Sequence, residues 1–149
     1  MKTITVSNGD IQLNNGKIQF VTGQSKLAQD IKLWLTEPLG TGFTTPNFGS
    51  LLPGMIGGAQ NGNTQSKIAN EIKRILQLYQ GQQVQYLKTA QNTATLSNWN
   101  RDEIIQSIGA VNVTVNNSTA IASISLLTLA NSNINLNVII NSNGVSVNG

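Results

Sequence analysis

Apolar and polar residues change their spacing three times along this chain. From Thr3 to Val21 they alternate in short bursts, Ile4 with Val6, Ile11 with Leu13, Ile18 with Phe20, broken at Asn8-Gly9 and at Asn14-Asn15-Gly16. A period of two is a strand signal and Asn-Gly a hairpin-turn signal. This end is therefore expected to hold two or three short antiparallel strands, a β-hairpin unit over 1–22. From Gln24 to Leu35 the spacing lengthens to four, through Leu27, Ile31 and Leu35, with Ala28 and Trp34 widening the stripe. That predicts an amphipathic helix with one buried face. Lys26, Asp30 and Lys32 fall away from the stripe, and Lys26 and Asp30 are spaced for a weak ion pair.

Glycines and prolines then make residues 37–62 irregular, a long loop of the kind that is usually functional or ordered by a partner. Asn63 or Thr64 can cap a second helix running to about Gln91, whose stripe is Ile68, Ile72, Ile75, Leu76, Tyr79, Val84 and Leu87. Gly81 interrupts it, at about 1 kcal/mol relative to Ala, and suggests a kink or a close backbone contact. Asn92 to Ser97 reads as a linker. Asn100 to Glu103 resembles a capping box for a short third helix through Ser107, with Ile104, Ile105 and Ile108 as its apolar face and Gly109 as its end.

From 109 to the end the period returns to two. Val111, Val113 and Val115 alternate with polar residues, and so do Ile134, Leu136, Val138 and Ile140. Ala120 to Ala130 is apolar on both faces, as in an interior strand. Asn143-Gly144 closes a last hairpin. No internal repeat stands out beyond this meander. The expected class is α+β in a single domain over 1–149: an N-terminal β-hairpin (1–22), a helical part (23–108) of two to three helices with the long loop 37–62, and a C-terminal antiparallel β-meander (109–149).

Composition sharpens one point. Only 10% of the 149 residues are charged, nine basic against six acidic, and none of the charged side chains lies between Ile104 and Gly149. Sheet edges are usually guarded by Lys, Pro or bulges, and this meander lacks the first two. Either helices of the same domain cover it, or an edge is built to accept a strand from another chain. The second arrangement makes the strands 111–116 and 133–141 candidate docking edges, through Val111, Val113, Asn133, Asn135 and Asn137. Lysine at Asn135 and Asn137 is then expected to block assembly without unfolding the monomer.

Catalytic chemistry finds little to work with. There is no His and no Cys, which removes most nucleophile–base pairs, disulfides and zinc sites. Ser25-Lys26 and Ser66-Lys67 are adjacent on helices and do not face each other. Asp102-Glu103 is accounted for by a helix start. The Gly-rich runs lack the Lys-Ser/Thr of a phosphate loop. No catalytic, metal or cofactor-binding residue and no small-molecule substrate is expected. A net charge of +3 is too slight to argue for nucleic acid. No apolar run spans a membrane and no signal-peptide core follows Met1, so no membrane partner and synthesis in a cytoplasm are expected.

One stretch carries a resemblance. Strand, turn, then LAQDIKLWLTEPLGT…TPNFGS-L, with Gln29, Asp30, Ile31, Leu35, Thr36, Gly40, Pro46, Phe48, Gly49 and Leu51 as the matching residues, resembles the opening of the GPW/gp25-like baseplate wedge proteins of contractile phage tails. The resemblance covers residues 10–52 and continues in outline beyond them. It implies a small α/β protein of a virion baseplate, assembled in the bacterial host cytoplasm and present in multiple copies, six around the tail. Its role would be that of sheath initiator, offering a sheet edge to the first sheath ring. Its implied partners are tail sheath subunits, other wedge proteins, and the tail tube or hub. Asp30, Trp34, Pro46, Phe48 and Gly49 become fold or partner determinants. The Glu-Pro-Arg that family members carry at the first C-terminal strand is absent here, where the chain reads Ser107-Ile108-Gly109-Ala110-Val111, so that contact does not carry over. Another tail-tip or tail-terminator protein is the alternative, and a nucleic-acid-binding module a more distant one.

Overall fold

The computed structural model describes residues 1–7, 10–56, 62–92 and 99–149. The expected Asn8-Gly9 turn, Gly57-Gly58 and the linker after Asn92 lie outside them. The class is α+β, with N-terminal hairpins, two α-helices and a four-stranded antiparallel sheet.

The N-terminal strands come as six two-residue pieces: β1 (Thr3–Ile4), β2 (Val6–Ser7), β3 (Asp10–Ile11), β4 (Leu13–Asn14), β5 (Lys17–Ile18) and β6 (Phe20–Val21). They pair as β1 with β6, β2 with β3, and β4 with β5. Three short arms therefore radiate from one point. At that point the backbone closes a ring: Thr5 N–H donates to Gln19 O, Gln19 N–H to Gln12 O, and Gln12 N–H to Thr5 O, at 2.9–3.0 Å. The three residues are seven apart because the chain repeats every seven. Residues 3–9, 10–16 and 17–23 each read x-Ile-(Thr/Gln)-apolar-x-x-Gly. The sequence expectation of no repeat is thus corrected. Its signal was short and hidden inside an ordinary alternation. Asn15 (φ 50°) and Gly16 (φ 74°) both take positive φ, as a two-residue hairpin turn requires.

The helix α1 (Gly23–Thr36) buries Leu27, Ile31, Trp34 and Leu35. Its N-cap, Thr22, makes no side-chain cap bond. Glu103, from far along the chain and 1% exposed, accepts the Gly23 N–H at 2.9 Å instead, placing a carboxylate where the helix dipole favours one. The helix α2 (Thr64–Asn92) starts with the Asn63 carbonyl accepting from Lys67 N–H. It buries Ile68, Ile72, Ile75 and Leu76. Gly81 is exposed, with open space where a side chain would stand, so it serves no close backbone contact.

The third helix does not form. Asn100 caps as expected, its side chain accepting from Asp102 N–H, but only a single 3-10 turn, Arg101–Glu103, follows. The β-branched Ile104 and Ile105 leave it in extended backbone, held by Gln83, which donates to Glu103 O at 2.6 Å and accepts from Ile105 N–H at 3.0 Å. The meander accordingly begins at Ile105, not at 109, and Gly109 lies within a strand.

The sheet is β7 (Ile105–Asn116), β8 (Thr119–Thr128), β9 (Asn133–Asn141) and β10 (Gly144–Asn148), in the order β10-β9-β8-β7. Ala120, Ala122, Ile124 and Leu126 on β8 and Ile134, Leu136, Val138 and Ile140 on β9 face the helices and are buried. The α1 helix lies against β10 and β9, and α2 against β7. β8 is interior in order, as expected, but only one of its faces is covered. Ile121 is 43% exposed on the other, and Ser123, Ser125 and Leu127 share that side.

Candidate docking surfaces

The expected N-terminal site residues gather around one aromatic cluster. Trp34 stacks tilted on Phe48 at 4.5 Å and meets Tyr79 edge-on at 6.2 Å. The Tyr79 hydroxyl donates to Asp30 at 2.8 Å, and the same carboxylate oxygen accepts from Lys26. Lys26 is buried, so this pair is not the solvated helical pair that the spacing suggested. Burial, with the Asp30 charge beside it, pushes the Tyr79 phenol well above its ordinary range.

Gly49 is needed for a backbone reason. Its φ is 104°, and a Cβ there would sit 2.6 Å from Glu37 O and 2.8 Å from Pro38 O. That close approach lets Ser50 N–H donate to Glu37 O and Leu39 N–H to Ser50 O, pinning both ends of the loop. Ser50 Oγ, donating to Leu35 O, ties the loop to α1. Glu71 accepts from Leu51 N–H at 2.8 Å and holds the Arg74 guanidinium with both oxygens. The Arg74 fork, aided by that N–H, holds the Glu71 carboxyl below its ordinary range. Two clefts flank the cluster, about 320 and 420 Å³, and share Gln82 and Tyr86. Pro46 and Phe48 line the larger one and Asp30 the smaller.

The expected sheet residues separate. Val111 and Val113 lie on β7, which is an edge strand. Asn133, Asn135 and Asn137 lie on β9, and β10 pairs with it only from Asn137 to Asn141, so the expected edge over 133–141 is corrected to the stretch Asn133 to Leu136 that β10 does not reach. The final hairpin, Gly144 to Asn148, supplies the strand that covers the Asn137 to Asn141 half of β9. These asparagines sit on the open face, where Ser123 Oγ donates to Asn137 Oδ1 at 3.1 Å. Lysine at Asn135 or Asn137 would charge that face and leave both edges unblocked.

The two true edges differ. Asn116 pairs Thr119 across a two-residue turn, and alternate residues of β7, among them Val111, Val113 and Val115, therefore aim their N–H and C=O outward. Helix α2 already uses part of this edge: the Gln65 amide donates to Val113 O, and Gln80 to Ile105 O and Gln106 O. Register shifts near Ser107 and Ile108 distort it further. By the same reasoning the Asn141–Gly144 pairing turns Val145 and Val147 outward on β10. Among the described residues no strand lies beyond β10. Gln29 shows how such an edge is read: its amide donates to Ile4 O and accepts from Val6 N–H, copying one rung of a sheet. Neither this clamp nor that of Gln83 was expected from sequence, since a glutamine on a helix carries no sign of which backbone it will meet.

Among the described residues no cluster of His, Cys, Asp and Glu could hold a metal ion, and no helix is long and apolar enough to cross a membrane. Comparison with family models, with curated proteins and with solved structures finds no match.

Proposed function

We propose that this protein is a structural component of a phage tail baseplate, a wedge protein that starts the sheath by offering the outer edge of β10 to a strand of another chain. The observation that carries the reading is that edge. β10 turns the backbone groups of Val145 and Val147 outward, and the strands of the sheet carry no charged side chain of their own, Lys32 of α1 being the charge that lines a cleft with Val147. An edge meant to stay single is usually guarded by Lys, Pro or a bulge. β7 is the poorer acceptor, because glutamines of α2 occupy it and its register breaks.

The setting comes from the resemblance of residues 10–52 to baseplate wedge proteins. In that setting the strand donors are sheath subunits, and other wedge proteins and the tail tube or hub are neighbours, with six copies around the tail. The work done is main-chain hydrogen bonding, each bond contributing about 1 kcal/mol net, with side-chain contacts choosing the partner. No bond is made or broken.

Proline tests the edge directly, since it deletes an outward N–H without touching the β9 ladder. Val145→Pro is expected to fold, by circular dichroism, and to fail to support sheathed particles in a host lacking the wild-type copy. Val115→Pro, the matching change on β7, is expected to assemble. Normal sheathed particles from Val145→Pro would end this reading.

A further inference from the structure

The edge of β10 leaves four of the expected site residues, Asp30, Trp34, Pro46 and Phe48, without a task. All four line the two adjoining clefts of about 320 and 420 Å³. Only 5% of the chain is aromatic, yet both its tryptophans and both its tyrosines line these clefts, together with Phe48. The core accounts for part of this gathering and not for the rest. Trp34 is buried, but Tyr86 is 61% exposed, and Phe48 and Trp99 are half-buried. Phe43, one residue before the rim at Thr44, is fully exposed.

Charge and spacing narrow what fits. The larger cleft has no charged side chain, and Thr44, Asn47 and Gln82 set hydroxyls and amides around its aromatic walls. In the smaller one Lys26 and Asp30 neutralise each other as an ion pair. A neutral partner is therefore the complementary one. Along α1 the smaller cleft lies beside Lys26 and Asp30 and the larger beside Trp34, one to two turns on, about 6–12 Å. Gln82 and Tyr86, one turn apart on α2, belong to both clefts.

We infer that the two clefts take an uncharged, proline-rich segment of another protein, held in the polyproline II conformation. Such a segment repeats every three residues, about 9 Å, so prolines at i and i+3 fall in successive clefts. It makes no hydrogen bonds to itself, which leaves its carbonyls to accept from the Gln82 and Asn47 amides. It has little conformational entropy to lose, and aromatic-lined grooves are where such segments dock. A saccharide fits less well. A sugar ring stacks on an open aromatic face, whereas Trp34 is only 7% exposed and packs against Phe48. The inference is independent of the β10 edge and of the baseplate reading.

Trp99 lines the smaller cleft and Trp34 the larger, and the chain has no other tryptophan, so intrinsic fluorescence reports occupancy directly. Titration of the full chain with a capped deca-proline is expected to give a saturable shift of tryptophan emission. Tyr86→Ala removes a wall of both clefts from an exposed helical position. It is expected to weaken binding about tenfold or more, with the circular dichroism unchanged. Gln82→Ala is expected to weaken it by a smaller factor, and Phe20→Ala, on the arms, to leave it as it is. Binding that Tyr86→Ala leaves intact, an equal response to a capped Gly-Ser decamer, or no saturable shift up to millimolar deca-proline overturns the inference. A response to maltohexaose in place of deca-proline assigns the clefts to saccharide and overturns it equally.

Discussion

The large sheet and the three-armed unit use the same alternation of apolar and polar residues and turn it in opposite directions. On β8 and β9 every second residue disappears under the helices, with Ile124, Leu136, Val138 and Ile140 at most 2% exposed. On β3 to β6 the corresponding residues, Ile11, Leu13, Ile18 and Phe20, stand 46–62% in water. Period two states that a strand has two unlike faces. It does not state which of them the molecule itself covers. In the sheet that face is covered by the helices; in the three-armed unit it stays in water.

The contrast can be broken most forcefully by truncation. Leu136→Ala is expected to cost about 3 kcal/mol, through lost burial and the cavity left behind. Phe20→Ala, on the exposed face of the arms, is expected to cost less than about 0.5 kcal/mol, as for exposed surface. Urea unfolding of both variants at low protein concentration checks the pair, and similar losses would deny the contrast. Next in size is the loop that braces the helical side of the core. Gly49→Ala is expected to lose about 2–4 kcal/mol, from a positive φ and the clash with two carbonyls, read by the same titration.

A smaller effect concerns the joint between the two regions. Gln29→Ala removes the amide that pairs with Ile4 O and Val6 N–H. It is expected to lower the local stability of the arms by about 1–2 kcal/mol. Hydrogen exchange should therefore speed up at the amides of Thr5, Gln12 and Gln19 and hold steady on β8. Glu71 gives the joint beneath the loop a pH dependence. Its folded pKa lies below the unfolded one, so its contribution is full above the unfolded pKa, near 4.5. It is lost as pH falls through the depressed folded value, where the unfolded chain binds the extra proton. Glu71→Gln is expected to be less stable at neutral pH and to flatten the decline of stability with acid, followed by thermal melts across that range. The smallest change is a gain. Gly81→Ala, on an exposed helical position with open space, is expected to add about 0.5–1 kcal/mol.

Much of this architecture was legible because its signals are local. Period-four stripes located α1 and α2 within a residue or two, and Asn-rich turns marked the ends of β7 to β9. The failures share a cause, which is distance along the chain. Ile104 and Ile105 read equally well as a helix face or as a strand start, and the choice was made by Gln83, twenty-odd residues away. Glu103 read as a local cap and instead caps α1. β9 read as an edge although Asn143-Gly144 marked the hairpin whose second strand, β10, pairs with its Asn137 to Asn141 half. Among the site residues, Asp30, Trp34, Phe48 and Gly49 were drawn together by a hydrophobic stripe and a strained turn, both visible in sequence. The seven-residue repeat was visible too, but only to a reading that compared segments with one another.

The account depends most on the outer side of β10. A cryo-EM map of the assembled particle reports on it without any substitution. The account predicts a strand from another chain hydrogen-bonded to Val145 and Val147, continuing the sheet beyond β10. A map in which that side of β10 faces solvent, or is packed only by side chains, would contradict it.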